Sequence, residues 1–259
     1  MNKQEKRLYL IKYLLAENPN YQNVNIPNDE DEQKKILRSL FNVRFPSPID
    51  DSFLKVQDEY LKEELLTKGI TDVKDLMPIE EDIYLWQGDI TTLRCDAIVN
   101  AANSGMTGCY IPCHNCIDNI IHTYAGIELR NECNDIIVKQ GHEEEAGYAK
   151  ITRAYNLPCK YIIHTVGTIV EGEVTKKNEE ELKSCYLSCM KLTDEYNIES
   201  IAFCCISTGI FGFPNEKAGE IAVKTISEYK TKTKSKVKVI FDVFKECDLQ
   251  IYKKLLGRH

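Results

Sequence analysis

The chain has 259 residues, 43% of them hydrophobic, enough to bury one substantial core with room for an appended element. Its 33 basic and 40 acidic residues leave a net charge of -7, which excludes general attraction to a phosphate backbone: no nucleic-acid partner is expected, and any polyphosphate ligand must be held by local geometry. No run of about 18 apolar residues is present to span a bilayer and the first residues lack the features of a signal peptide, so no membrane partner and a cytoplasmic location are expected, with the 11 cysteines serving metal binding, catalysis or burial rather than disulfides.

Residues 1–78 carry Leu8, Ile11, Leu14 and Leu15, then Ile36, Leu37, Leu40 and Phe41, at helical spacings among many charged residues. This predicts a helical extension, punctuated by the turn-rich segments ENPNYQNVNIPNDED and RFPSPIDD, that packs on the sheet edge or helices of the domain that follows. No motif of chemistry is found in it. From 79 to 259 the texture is that of a second domain. Short apolar runs such as IYLWQ, DAIVN, YIIHTV, SIAFCCIS and VKVIFDVF read as buried strands. They alternate with helical patterns over 117–140, 176–196 and 216–230, the mark of an α/β sandwich whose ligands gather beyond the carboxyl ends of the strands. Neither GxGxxG nor GxxxxGK[ST] occurs, so a standard dinucleotide fold and a P-loop are not supported.

Three segments at strand ends carry the chemistry. The run QGDITTLRCDAIVNAANS places Asp89 after one strand, where its carboxylate can accept from an exocyclic amine, and Asn103 after the next, where its amide can meet a sugar diol. The loop GMTGCYIPCHNCIDNIIH follows. Cys109, His114 and Cys116 lie within eight residues there, and a thiolate, imidazole, thiolate set suits one Zn²⁺ ion. Cys113 and Cys116 also form a CxxC, so the spacing allows either a closed four-ligand site or three ligands with an open position. Cys185, Cys189, Cys204 and Cys205 fall on apolar patterns and read as core. Asp118, at the start of the next helix, is placed either for the helix dipole or for chemistry, with His122 four residues on as an orienting or packing group. The third segment, ISTGIFGFP, passes through Ser207, Thr208, Gly209, Ile210, Phe211 and Gly212 into a helix, a glycine-bearing turn able to aim backbone amides at a diphosphate.

The order GDIT, DAIVNAAN, IDNIIH and ISTGIFGFP resembles the signature of macrodomains over roughly residues 80–255. The loop pattern GCxxPxHxCID resembles their zinc-dependent, protein-ADP-ribose hydrolase type. The resemblance implies a three-layer α/β/α sandwich around a mixed, largely parallel sheet. It assigns Asp89 and Ile90 to adenine, Asn103 and Phe211 to the distal ribose, Phe244 to the adenine edge, and Cys109, Ile117, Asp118, Asn119 and the 207–212 turn to the ADP-ribose pocket. Within that pattern Cys109, His114 and Cys116 are the three zinc ligands, Cys113 falls at an unspecified position, and Asp118 with Asn103 is catalytic. The implied activity is removal of mono-ADP-ribose from a modified protein, by a glycosidase-type hydrolysis that releases ADP-ribose. A lipoate carrier protein modified by a sirtuin-type transferase is the partner this type suggests. A non-catalytic ADP-ribose reader, an O-acetyl-ADP-ribose deacetylase, or a purely structural zinc are the competing expectations.

Overall fold

Burial sorts the apolar side chains of the computed structural model, which describes residues 1–21 and 23–257, into two clusters. The smaller belongs to α1 (Lys3–Glu17), α2 (Glu30–Val43) and α3 (Asp51–Lys68). Leu10, Ile11, Leu37 and Phe53 meet at its centre, fully or almost fully buried. Two of the three start where the sequence supplies a cap: Asn2 and Glu5 form a reciprocal capping box on α1, and Asp29 accepts from the Glu32 amide on α2. Tyr124 and Ile127, from later in the chain, pack into this cluster, so the helical unit rests on the helices that follow the cysteine-bearing loop.

The larger cluster fills the rest. A two-residue strand β1 (Thr71–Asp72) pairs in parallel with β3 (Leu93–Arg94). The main sheet contains β2 (Ile83–Gln87), β4 (Ala97–Ala102), β5 (Ala149–Arg153), β6 (Tyr161–Val166), β7 (Ser200–Phe203) and β8 (Lys238–Val243). Its order is β2-β8-β7-β4-β6-β5, parallel throughout except for the antiparallel edge strand β5. The central strands are buried along their length, as a sheet covered on both faces requires. Helices α4 (Ile117–Ala125) and α5 (Ile127–Gln140) pack with β4 and β5. Helices α6 (Lys176–Glu195), α7 (Asn215–Thr233) and α8 (Glu246–Leu255) pack on one another as the second layer.

The pattern expected as one helix over 117–140 is broken at Gly126. Its φ of +105° suits glycine alone, and an added Cβ would stand 2.7 Å from Nε2 of Gln57. The break lets Gln57 of α3 accept from the Ile127 amide at 2.9 Å, which joins the helical unit to the start of α5. Among the described residues no helix is long and apolar enough to cross a membrane.

Candidate active site and metal centre

The carboxyl ends of β2, β4, β7 and β8 open into one cleft of about 970 Å³. It is lined by Asp89, Ile90 and Phe244, by the 207–211 turn, and by Asn103, Asp118 and residues 108–111 and 114–117 of the loop. Of the residues expected at the ligand, only Asn119 and Gly212 stand outside this lining. Asn119 is wholly buried behind the loop, where its Nδ2 donates to the carbonyls of Cys109 at 3.3 Å and Ile111 at 3.0 Å. Its side chain therefore braces the loop rather than touching the cleft.

Asp89 caps a single 3-10 turn, accepting at Oδ1 from the Thr91 amide at 3.0 Å and the Thr91 hydroxyl at 2.6 Å. Its Oδ2 accepts from Nζ of Lys68 at 2.8 Å. Burial raises its pKa, but the bonds from Lys68 and Thr91 together outweigh it and hold the carboxyl below its ordinary value. The turn after β7 closes on itself through Gly212 N–H to the Gly209 carbonyl and Phe213 N–H to the Ser207 carbonyl. None of the backbone bonds that close it uses the amides of Gly209, Ile210 or Phe211. The Ser207 hydroxyl, buried beside them, has no partner among the described residues.

Asp118 is buried one residue inside α4. Its Oδ1 accepts from Nδ2 of Asn100 at 2.8 Å and its Oδ2 from Nδ2 of Asn103 at 3.2 Å. Burial pushes its pKa up to about 6, against the Asn100 bond and the Arg130 charge. Behind it, Asn100 also donates to Nδ1 of His164 at 3.1 Å, and Nε2 of His164 lies 2.9 Å from the Thr152 hydroxyl. Burial lowers His164 to about 3, so the ring is neutral; accepting at Nδ1 leaves its proton on Nε2, facing Thr152. His122 is neutral for the same reason, with His164 and Arg130 adding to the effect of burial. Its Nε2 lies 3.6 Å from Asp118, beyond hydrogen-bond range, and its ring packs against Gly108. A Cβ at Gly108, whose φ is +82°, would sit 2.8 Å from that ring, so the entry to the loop depends on glycine.

Donor atoms of Cys109, His114 and Cys116 all lie within 4.8 Å of one another, with Cys109 Sγ 3.5 Å from His114 Nδ1. Ordinary Zn–S and Zn–N bond lengths at a tetrahedral angle put such a pair about 3.6 Å apart. The set fits a zinc ion in both donor chemistry and spacing. Cys116 also caps α4, its Sγ accepting from the Asn119 amide at 3.4 Å, and burial pushes its thiol up to about 12. Cys113 points elsewhere: its Sγ lies 3.3 Å from the Ser39 hydroxyl and 3.4 Å from the Lys35 carbonyl, both on α2. A second close group, His122, Cys133 and His164, is buried. Its His164 nitrogens are already engaged by Asn100 and Thr152.

The helical unit, in which the sequence shows no chemistry, reaches this cleft twice. Arg38 of α2 lines it beside the loop, and Lys68 at the end of α3 lines it beside Asp89, with Nζ 3.4 Å from the centroid of the Tyr124 ring. Asn100, His164 and Asp242 are further residues that motif reasoning passes over. Asp242 lines the cleft with a buried Oδ1 that has no partner among the described residues, and burial with the neighbouring Asp89 charge raises its pKa well above the usual carboxylate range. Asn100 belongs to the NAAN run and could have been read from its strand alternation. The others depend on contacts that no local pattern records.

A six-stranded, largely parallel sheet between helical layers, with an acidic group at one end of a strand-end cleft and an amide-lined turn below, defines a macrodomain. The profile of the Macro domain family matches residues 99–222. A protein-ADP-ribose hydrolase of Treponema medium is 55% identical over 261 residues, covering 99% of this chain and 100% of that one. One of Staphylococcus aureus is 50% identical over 252 residues, covering 96% and 94%. Among solved structures, a Trypanosoma brucei macrodomain in complex with ADP-ribose superposes with a TM-score of 0.67 at 26% identity, covering 85% of this chain and 95% of that one. The chain belongs to the macrodomain family, in its protein-ADP-ribose hydrolase type.

Proposed function

We propose that this chain is a zinc-dependent hydrolase that removes mono-ADP-ribose from a modified protein and releases ADP-ribose. The observation that carries the reading is one juxtaposition. A Cys109, His114, Cys116 donor set with zinc spacing stands at the same end of the cleft as a buried carboxyl, Asp118, held by Asn100 and Asn103. Relatives that this chain matches along their whole length are named protein-ADP-ribose hydrolases, which supports the reaction.

In this reading the adenine lies by Asp89 and Phe244 and the diphosphate on the amides of the 207–211 turn, with the distal ribose between Phe211 and Asn103. Asn103 spends its Nδ2 hydrogens on Asp118 and the Gly108 carbonyl, which leaves its Oδ1 for a ribose hydroxyl. Asp118, raised to about 6, is mostly ionised at neutral pH yet basic enough to take a proton from a water set beside the anomeric carbon. Both of its oxygens are anchored, so the carboxylate meets that water in a fixed orientation. Cys109, His114 and Cys116 would hold a zinc ion, which would supply Lewis-acid polarisation beside Asp118.

The test is zinc content and ADP-ribose release from a protein carrying mono-ADP-ribose on an acidic side chain, with a modified lipoate carrier protein as a second substrate. Stoichiometric zinc and rapid release by the wild type, with Asp118→Ala and His114→Ala folded but slow, is the expected result. Tight ADP-ribose binding with no release on any linkage would make the protein a reader.

A further inference from the structure

The loop that carries the three donor residues is not held by its own domain alone. On α2, Arg38, Ser39 and Asn42 present polar groups to it at helical spacing. Asn42 Oδ1 accepts from the Cys113 amide at 2.9 Å, and Ser39 and the Lys35 carbonyl hold the Cys113 sulfur. Arg38 acts nearest the donors. Its Nη2 donates to the His114 carbonyl at 2.5 Å and to Oδ1 of Asn119 at 3.0 Å. That second bond fixes the Asn119 amide in the orientation whose Nδ2 holds the carbonyls of Cys109 and Ile111. One guanidinium thus fixes, directly or through Asn119, the backbone of two of the three donor residues.

We propose that Arg38 is a positioning residue for the zinc site, and that the N-terminal helical unit is therefore a working half of the metal centre rather than an appendage. The inference rests on the reading of Cys109, His114 and Cys116 as zinc ligands. Two observations separate it from simple docking. The helical unit is attached elsewhere by Asn42 to Thr123 at 2.9 Å, Gln57 to Glu128 at 2.7 Å, and Arg130 to the Asn42 carbonyl at 2.7 Å. Arg38 is not needed to keep it in place. Moreover, Nε of Arg38 is buried with no partner among the described residues, an arrangement that stability alone does not favour.

Groups behind metal ligands typically change metal affinity by about 10- to 100-fold when removed. The full-length wild type, Arg38→Met and Arg38→Lys are compared for zinc affinity by competition with a chromophoric chelator. The visible absorption of the cobalt-substituted proteins, ADP-ribose affinity and melting temperature are measured alongside. The expected result is zinc affinity weakened at least tenfold in Arg38→Met, with an altered cobalt spectrum and nearly unchanged melting of the metal-free protein. Arg38→Lys, which keeps a charged donor but not the rigid fork, should fall between the two. Unchanged zinc affinity and cobalt spectrum in both variants overturns the proposal, and does so most directly if ADP-ribose affinity falls instead, since Arg38 would then be a ligand contact. A wild type that binds no zinc refutes the metal reading itself, and the positioning role falls with it.

Discussion

Arg130 offers the sharpest energetic test of how the two parts of the molecule are joined. Its side chain rises from α5, is almost fully buried, and places Nη1 3.2 Å from the Phe41 carbonyl, 2.7 Å from the Asn42 carbonyl and 2.6 Å from the Arg44 carbonyl. These belong to the C-terminal end of α2, where the helix has no partners of its own for its last carbonyls and where a cation is favoured by the dipole. Two N–H groups serve three acceptors, so Arg130→Met removes two charge-assisted bonds and leaves the carbonyls buried. At roughly 1.5–3 kcal/mol for each bond to a charged group, the loss is about 3–6 kcal/mol. For a chain of this size that corresponds to a melting temperature lower by roughly 6 to 24 °C. The stacking of Arg130 on Tyr110, 4.4 Å from guanidinium carbon to ring centroid, is lost as well. Urea unfolding followed by circular dichroism measures the difference. A change below about 0.5 kcal/mol would refute the reasoning, because it would mean that water or a neighbour already serves those carbonyls.

Cys113→Ala should retain one zinc per chain while Cys109→Ser loses it, as metal analysis after dialysis will show, since the Cys113 sulfur is turned toward Ser39 and Lys35. Asp89→Ala should weaken ADP-ribose binding about tenfold by calorimetry through loss of one bond to a charged group, with turnover at saturation nearly unchanged, because the bonds of Asp89 go to Lys68 and Thr91 and those of Asp118 to Asn100 and Asn103. Stability should fall on acidification through His164. Its folded pKa of about 3 lies below the unfolded value of about 6.5, so the unfolded chain binds the extra proton and the contribution present above 6.5 is lost as pH falls toward 3. His164→Asn, which has no ring to protonate, should show a stability slope shallower than wild type by up to about 1.4 kcal/mol per pH unit within that window; equal slopes in urea titrations would contradict a neutral buried ring.

What the sequence disclosed and what it withheld divide along sequence distance. The strands Ile83–Gln87, Ala97–Ala102 and Tyr161–Val166 announce themselves by apolar runs, because a strand buried on both faces has no polar face to show. The donor set is equally local: Cys109, His114 and Cys116 converge because the chain between them is short and Gly108 allows the entry turn. The break between α4 and α5 was hidden by residues on either side that continue a helical pattern; only the crowding of Gln57, some seventy residues earlier, makes Gly126 a stop.

The same distance explains why the helical unit read as inert. Arg38 and the His114 carbonyl are 76 positions apart, and Lys68 and Asp89 are 21 apart with two strands and a 3-10 turn between them. On a helix rich in Lys, Arg and Glu, a cation that serves a site looks like one that faces solvent, since both satisfy the polar side of the amphipathic pattern. What distinguishes Arg38 and Lys68 is the acceptor they meet across the fold: the His114 carbonyl of the 108–117 loop in one case, the Asp89 carboxylate in the other. Both cations thus reach the cleft from outside the domain whose motifs announce it. A cleft assembled this way ties its geometry to the docking of the helices, and Arg130, which holds the end of α2 and stacks on Tyr110 of the cleft lining, is where that coupling can be loosened.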